Sequence, residues 1–239
     1  MIAAASRNAL RTGTILLVFA LVGTAMLAFT HDRTEPTITR GQLAEKRALL
    51  SQMLPATLYN NDLLASQQSV PPDALLGTRQ PSALWIARRD DQGRDDQGRA
   101  NQGRTNQGRT NQVSGVVLEA IAQDGYSGDI ALLIGIGIDG NVTGVRVTAH
   151  RETPGLGDYI EFAKSAWIRQ FEGKSLTAPQ LPQWKVSKDG GAFDARAGAT
   201  ITPRAVVKAV GNALVFFARH RAALVAAPVA QEKAHDDAE

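Results

Sequence analysis

The chain opens on an apolar run. Gly13 to Thr30 (GTILLVFALVGTAMLAFT) holds 18 residues without a charge, enough for a helix to cross the hydrocarbon core of a bilayer. From Thr39 to Met53 helix formers dominate. Leu43, Leu50 and Leu54 share one side at helical spacing, with Arg47 interrupting the stripe. Leu54-Pro55 predicts the end of that helix. Further on the apolar period changes. Ala83–Ala87 is strand-like, and Val116–Ala122, Ile130–Ile138 and Val142–Thr148 read as three successive strands. They are joined by a turn at Asp124–Asp129 and a hairpin at Asp139-Gly140-Asn141. A short helix is predicted around Tyr159–Glu172. After Thr202-Pro203 helical spacing returns and sets Val206, Val207, Val210, Leu214 and Phe217 on one face. Such a meander needs a cover for its apolar face, and these two helices supply one. The expected class is α+β: an antiparallel β-meander covered by helices and preceded by one N-terminal transmembrane helix.

The pattern lapses between Asp90 and Gln112, where DDQGR occurs twice and is followed by ANQGR, TNQGR and a partial TNQ. Nothing large and apolar is present to offset the entropy of ordering, so the repeat reads as a flexible surface insertion. Its four Arg face four Asp, which argues against a polyanion-binding segment. The organisation is then an N-terminal segment 1–12, an anchor 13–30, a membrane-proximal helix and connecting region 31–89, the insertion 90–112, a folded domain 113–225 and a polar tail 226–239. Arg7 and Arg11 precede the apolar run and no acid does, which keeps the N-terminus cytoplasmic. The main domain then lies outside, in a bacterium the periplasm, on a single-pass inner-membrane anchor. A cleaved signal peptide is the competing reading, with small residues near Thr24-Ala25 inviting cleavage. The length of the run and Phe29 beyond that point favour the anchor.

Composition narrows the chemistry. The net charge is +3 and aromatic residues are 5% of the chain, with basic residues spread rather than gathered. Neither an electrostatic footprint nor a stacking platform for nucleic acid is present. There are no cysteines, so disulfides, thiol nucleophiles and Cys-ligated clusters are excluded. The four histidines lack metal-ligand spacing. Any redox chemistry therefore comes from an organic cofactor.

The most informative stretch is Asp194-Ala195-Arg196-Ala197-Gly198-Ala199-Thr200-Ile201-Thr202-Pro203. Thr202 suits an N-cap and Pro203 the first helical position. Thr200 should thus sit beside the positive end of a helix, where backbone N–H groups favour a phosphate. A hydroxyl beside a phosphate cradle suggests a phosphate ester; an ordinary capped helix after a small-residue turn would give the same string. Upstream, Glu152-Thr153-Pro154-Gly155-Leu156-Gly157-Asp158 is a Pro-Gly turn whose glycines let a ligand approach the backbone. Glu152 and Thr153 offer hydrogen bonds and Leu156 an apolar cover. His150 stands at a strand end with no partner visible in the sequence, which favours a structural role. No nucleophile elbow or Ser-His-Asp spacing supports a hydrolase.

The Asp194–Thr200 stretch resembles the flavinylation motif of the FMN-binding subunits of the Rnf (Rsx) and Na+-translocating NADH:quinone reductase complexes. Its pattern is Asp-x-x-Ser/Thr/Ala-Gly-Ala-Thr, with Ala197 here at the variable place. Gly125-Tyr126-Ser127-Gly128, Asp139-Gly140, His150–Asp158, Trp167 and Phe171-Glu172-Gly173 follow in the order found in Rnf G subunits. Leu54-Pro55 with Asn60-Asn61-Asp62 resembles a further segment of those subunits. The match runs from about Val113 to Val215.

The resemblance implies covalent FMN esterified to Thr200, next to Gly198 and Ala199. It implies that Glu152, Thr153 and Leu156 line the flavin with Tyr126 nearby, and that Asp194 helps a flavin transferase recognise the segment. No catalytic residue and no metal are expected. The implied role is electron relay within an Rnf-type membrane complex that couples electron transfer between ferredoxin and NAD to ion translocation. The ferredoxin, NAD and ion sites would lie on other subunits, so the isolated chain lacks full turnover. The alternatives are the C subunit of the Na+-translocating quinone reductase and an anchored periplasmic binding or scaffold module without flavin.

Overall fold

A computed structural model of the protein describes residues 2–90 and 111–226. They fall into two units, one up to Ala48 and one from Leu49 onward. The first consists of most of helix α1 (Ile2–Met53). The sequence predicts two helices here; the structure has one, and the polar stretch after Thr30 continues it. Thr30 and Thr34 turn their hydroxyls back to the carbonyls of Met26 and Thr30, each at 2.8 Å, so the polar side chains are satisfied without leaving the helix. Within this unit Arg11–Glu35 is apolar and long enough to cross a membrane, and none of it is buried. Phe19, Met26 and Leu27 are each more than two-thirds exposed, a surface suited to lipid rather than water.

The second unit is built on one five-stranded sheet in the order β1-β2-β3-β4-β5, antiparallel throughout. The strands are β1 (Gln67–Val70), β2 (Ser82–Asp90), β3 (Asn111–Ala122), β4 (Ile130–Gly137) and β5 (Val142–Ala149). The expected meander is therefore present. The short polar β1 (Gln-Gln-Ser-Val) is an addition the apolar pattern does not signal. Asp90 pairs with Asn111, so the ends of the repeat belong to β2 and β3. Its interior, predicted as a flexible loop, lies outside the described residues, as does the tail beyond Ala226.

Register assigns the faces. Leu84, Leu118, Ile134 and Val145 are successive cross-strand partners, and all are buried under helix α2 (Ile201–Ala226). From α2 come Val206, Val207, Val210, Leu214 and Phe217, each no more than 2% exposed. At about 1.5–3 kcal/mol per fully buried apolar side chain, this face dominates the helix's hold on the domain. Although α2 is also long and apolar enough to span a membrane, two-thirds of it is buried, which makes it a core helix.

On the other face the partners are Trp85, Val117, Gly135 and Gly144. This row falls from the largest side chain to none. The end of α1 fills the space: Leu50, Met53 and Leu54 pack against Trp85, Val117 and Leu133. A Cβ on Gly135 would run into the Met53 carbonyl oxygen, which accepts the Thr143 hydroxyl at 2.5 Å. Gly135→Val is expected to overpack this contact and lower stability by about 1–3 kcal/mol, measured as a reduced chemical-denaturation midpoint.

The expected helix at 159–172 is instead two short 3-10 turns, Asp158–Ile160 and Ala166–Phe171. Ser165 separates them: its backbone is extended and its hydroxyl accepts the Trp167 N–H at 3.1 Å. A serine that bonds locally to the backbone breaks a helix rather than continuing it. Ile160, Ile168 and Phe171 of this segment still join α2 in the core on the first sheet face, as expected, while the second face is covered by the end of α1.

Candidate functional site

Glu152 follows β5 and is only 4% exposed. A buried carboxylate needs partners, and this one has two from distant parts of the chain. Oε1 accepts the Ser127 N–H at 2.9 Å. Oε2 accepts the hydroxyl of Thr202, itself 2% exposed, in a short hydrogen bond. One side chain therefore joins the β3–β4 loop holding Tyr126, the 152–158 turn, and the start of α2 holding Thr200. Backbone space makes this possible: a Cβ on Gly157 would lie 2.9 Å from both Glu152 Oε2 and Thr202 Oγ1.

The helix start differs by two residues from the sequence expectation. Helix α2 begins at Ile201, and the Thr200 carbonyl accepts the Arg204 N–H at 3.2 Å. Thr200 is thus the N-cap residue in backbone terms, and Pro203 is the third helical residue, where its missing N–H is one the helix leaves unpaired anyway. Thr202 is not the cap, because its hydroxyl is spent on Glu152. Thr200 is half-buried, immediately before the first-turn N–H groups of Ile201 and Thr202. Gly198 reaches it with φ of 84°, a left-handed conformation natural to glycine.

A second tie lies just upstream. Tyr159, 2% exposed, accepts the Arg196 N–H at 3.2 Å and donates to the Ala199 carbonyl at 3.4 Å. Its ring also lies 4.7 Å beneath the Arg196 guanidinium. Asp194 is held through its main chain, its N–H to Gln170 Oε1 at 2.8 Å and its carbonyl to Trp167 Nε1 at 2.7 Å, while the residue is exposed. Tyr159, Trp167 and Gln170 were invisible as site residues. A partner some 30 residues away leaves no spacing signal, and the same holds for Thr202 with Glu152.

The other predicted residues present themselves differently. Tyr126 is 68% exposed and Leu156 55%; Thr153 and Gly198 are exposed and Ala199 half-buried. Thr153 closes its own turn, its carbonyl accepting the N–H groups of Leu156 and Gly157 at 3.1 and 3.0 Å. Glu152 turns inward with both oxygens engaged, so it holds the walls together rather than offering a free carboxylate. His150, expected without a partner, has two. Nδ1 accepts the Glu152 N–H at 3.0 Å, which fixes the tautomer and makes Nε2 the donor to Glu161 Oε1 at 2.7 Å.

Lys164 completes this support, contacting Asp158 Oδ2 at 2.9 Å and Glu161 Oε1 at 2.7 Å. Lys164 and the Gly155 N–H hold the Asp158 carboxyl below its ordinary pKa. Lys164 first and His150 second do the same to Glu161, while Glu161 and then Asp158 raise that of Lys164. Depressed carboxylates contribute stability that is fully present above their unfolded values, near pH 4, and that is lost as pH falls through the lower folded values. The raised lysine contributes below its unfolded value, near pH 10.4. The turn is accordingly expected to stay closed through the neutral range and to loosen only below about pH 4. In Lys164→Met that acid transition, followed by tryptophan emission, should move to higher pH.

The residues fit a phosphorylated, ring-bearing ligand: a hydroxyl at a helix N-terminus, a glycine-lined turn and exposed apolar side chains beside them. Among the described residues no cluster of His, Asp or Glu could hold a metal ion. Comparison with known proteins names the ligand. A family model described as an FMN-binding domain matches residues 125–215, and one described as the RnfG N-terminal region matches residues 1–53. The G subunit of an ion-translocating oxidoreductase complex from Pseudomonas aeruginosa (strain UCBPP-PA14) is 43% identical over 226 residues, covering 95% of this chain and 96% of that protein. The corresponding subunits of Vibrio atlanticus and Shewanella oneidensis are each 39% identical, covering 92% and 95% of this chain and 95% and 98% of theirs. The crystal structure of Shewanella oneidensis NqrC aligns with a TM-score of 0.43 and 22% identity over 72% of this chain and 74% of that one, too loose a likeness to carry an argument. With an FMN-binding domain and an apolar N-terminal helix suited to a membrane complex, the chain belongs to the family of G subunits of ion-translocating oxidoreductase complexes.

Proposed function

We propose that this chain carries FMN as a phosphoester of Thr200 and relays electrons from a periplasmic domain held by a single membrane span. The observation that supports this reading is the Glu152 tie, which links the segments bearing Tyr126, Leu156 and Thr200 to one another. A phosphate on the Thr200 hydroxyl would lie at the start of α2, where the N–H groups of Ile201 and Thr202 and the helix dipole stabilise negative charge. Gly198 and Ala199 keep the approach to that hydroxyl slim. Leu156 and Tyr126 offer apolar faces to a ring, and Thr153 offers a polar edge. Glu152 acts by position, since its oxygens already serve Ser127 and Thr202.

When bound, FMN takes up electrons as a pair and passes them on singly; the protein supplies placement and tuning. An ester bond suits an exported domain, where a lost flavin is not readily replaced. Arg7 and Arg11 before the apolar run support a cytoplasmic N-terminus. The partners are the other subunits of the complex, which would hold the ferredoxin, NAD and ion sites, so the isolated chain has no complete turnover. A flavin transferase completes maturation, and the exposed Asp194 is available to it. Production of the chain with a flavin transferase in a bacterial membrane, followed by a denaturing gel, tests the linkage. The expected result is a flavin-fluorescent band at the mass of the chain; a dark band would contradict it.

A further inference from the structure

Residues 194–200 form a strap between two firm anchors. Phe193 at one end is 1% exposed, within an aromatic cluster with Phe171 and Trp184 at centroid distances of 5.0 and 4.7 Å. Thr202 at the other end is 2% exposed and starts the buried face of α2. Between them Asp194, Arg196, Ala197 and Gly198 are exposed, and Ala195, Ala199 and Thr200 are half-buried. The strap is curled: the Ala199 N–H reaches the Arg196 carbonyl at 3.3 Å, and Gly198 is left-handed. What docks it is mainly hydrogen bonds, Tyr159 to Arg196 and Ala199, and Trp167 and Gln170 to the Asp194 main chain, with the small Ala195 side chain against the core and the Arg196 guanidinium over the Tyr159 ring. A segment held by a few hydrogen bonds, with little apolar surface to uncover, opens far more readily than the helix beside it.

In this closed form Thr200 is half-buried and its upstream neighbours are folded back on themselves. A second enzyme that must align the Thr200 hydroxyl with a phosphorus atom needs the flanking backbone extended within its own active site. We infer that the strap is lifted for flavin attachment and that the Tyr159 hydroxyl is the catch that returns it; this rests on Thr200 being the attachment site. The donor is a flavin dinucleotide. Thr200 Oγ bonds to the phosphorus on the riboflavin side, and the anhydride P–O bond breaks. The nucleotide monophosphate leaves and the hydroxyl proton passes to the transferase, with no change of oxidation state. Tyr159 and Trp167 are thus positioning residues that set how often the acceptor is presented.

The test uses the full-length chain in detergent, made without transferase, then mixed with limiting transferase and flavin dinucleotide. Initial rates are read as covalent flavin fluorescence on denaturing gels. Tyr159→Phe keeps the ring and removes both bonds to the strap; Trp167→Phe removes the bond to Asp194. Trp167→Phe should raise the initial rate about three- to tenfold, since losing one hydrogen bond raises an open population by about that factor, and Tyr159→Phe, which loses two, should raise it at least as much. The final extent of labelling should be unchanged, and amide exchange at Arg196 should accelerate in parallel. A purely structural role for Tyr159 would lower both rate and extent. Rates equal to or below the unaltered chain, in variants with native far-ultraviolet circular dichroism, would overturn the inference. Should Tyr159→Phe not fold, Trp167→Phe decides alone. Absence of covalent flavin from the unaltered chain under these conditions would instead remove the attachment reading, and the strap's role with it.

Discussion

Thr200→Ala should abolish covalent flavin completely, leaving a folded chain of unchanged abundance and a gel band with no flavin fluorescence. The reason is chemical: in the proposed linkage the Thr200 hydroxyl is the bond-forming group, and no neighbour is able to replace it. Thr202, two residues on, is the obvious competitor, yet its oxygen is buried and donates to Glu152. Thr202→Val should therefore keep the flavin. It should lower stability by about 1–3 kcal/mol, because the Glu152 carboxylate loses one of its two donors inside the protein. The pair separates attachment from architecture, since the first variant loses the flavin without instability and the second loses stability without losing flavin.

Glu152→Ala carries the second large effect. It strands the Ser127 N–H and the Thr202 hydroxyl together, at about 1–3 kcal/mol for each unsatisfied group. That sum is a sizeable part of the ~5–15 kcal/mol that holds an ordinary domain folded. The denaturation midpoint should fall steeply, and amide exchange at Ser127 should rise. Because Thr200 remains, the protein that survives should still be labelled. Its flavin should show lower fluorescence anisotropy, the walls that carry Tyr126 and Leu156 no longer being tied to α2. Glu152→Gln should be milder: an amide keeps one acceptor oxygen for two donors and leaves a single group unpaired.

The sheet was legible from short apolar runs bounded by turn residues, with strict alternation only in Val142–Thr148. Leu118, Ile134 and Val145 meet across it as the pattern requires. The helix around Val206–Phe217 was legible from its helical spacing of apolar residues. What covers the second sheet face was not. Gly135 and Gly144 read as gaps in a strand, and their purpose emerges only when Met53 settles over them. The 3-10 turns around Ser165 escaped because short aromatic-rich segments carry helical spacing without the length to use it.

At the site, Thr200 was legible from a string of small residues before a helix, and Glu152, Thr153 and Leu156 from a glycine-rich turn. The direction in which Glu152 points was not legible, nor was the exchange of roles between Thr200 and Thr202. Both depend on a hydrogen bond across fifty residues, which no local rule contains. His150 shows the same limit: its strand-end position was plain, but its two partners come from the turn that follows.

The central claim is that FMN is bonded to Thr200. Trypsin cuts after Arg196 and Arg204 and releases the peptide Ala197–Arg204, which contains Thr200 and Thr202 but no other hydroxyl. Fragmentation mass spectrometry of that peptide, from chain matured with a flavin transferase, is the most direct measurement. The expected peptide is heavier by FMN less one water, with the added mass on Thr200. An unmodified peptide, or the same mass on Thr202, would contradict the account.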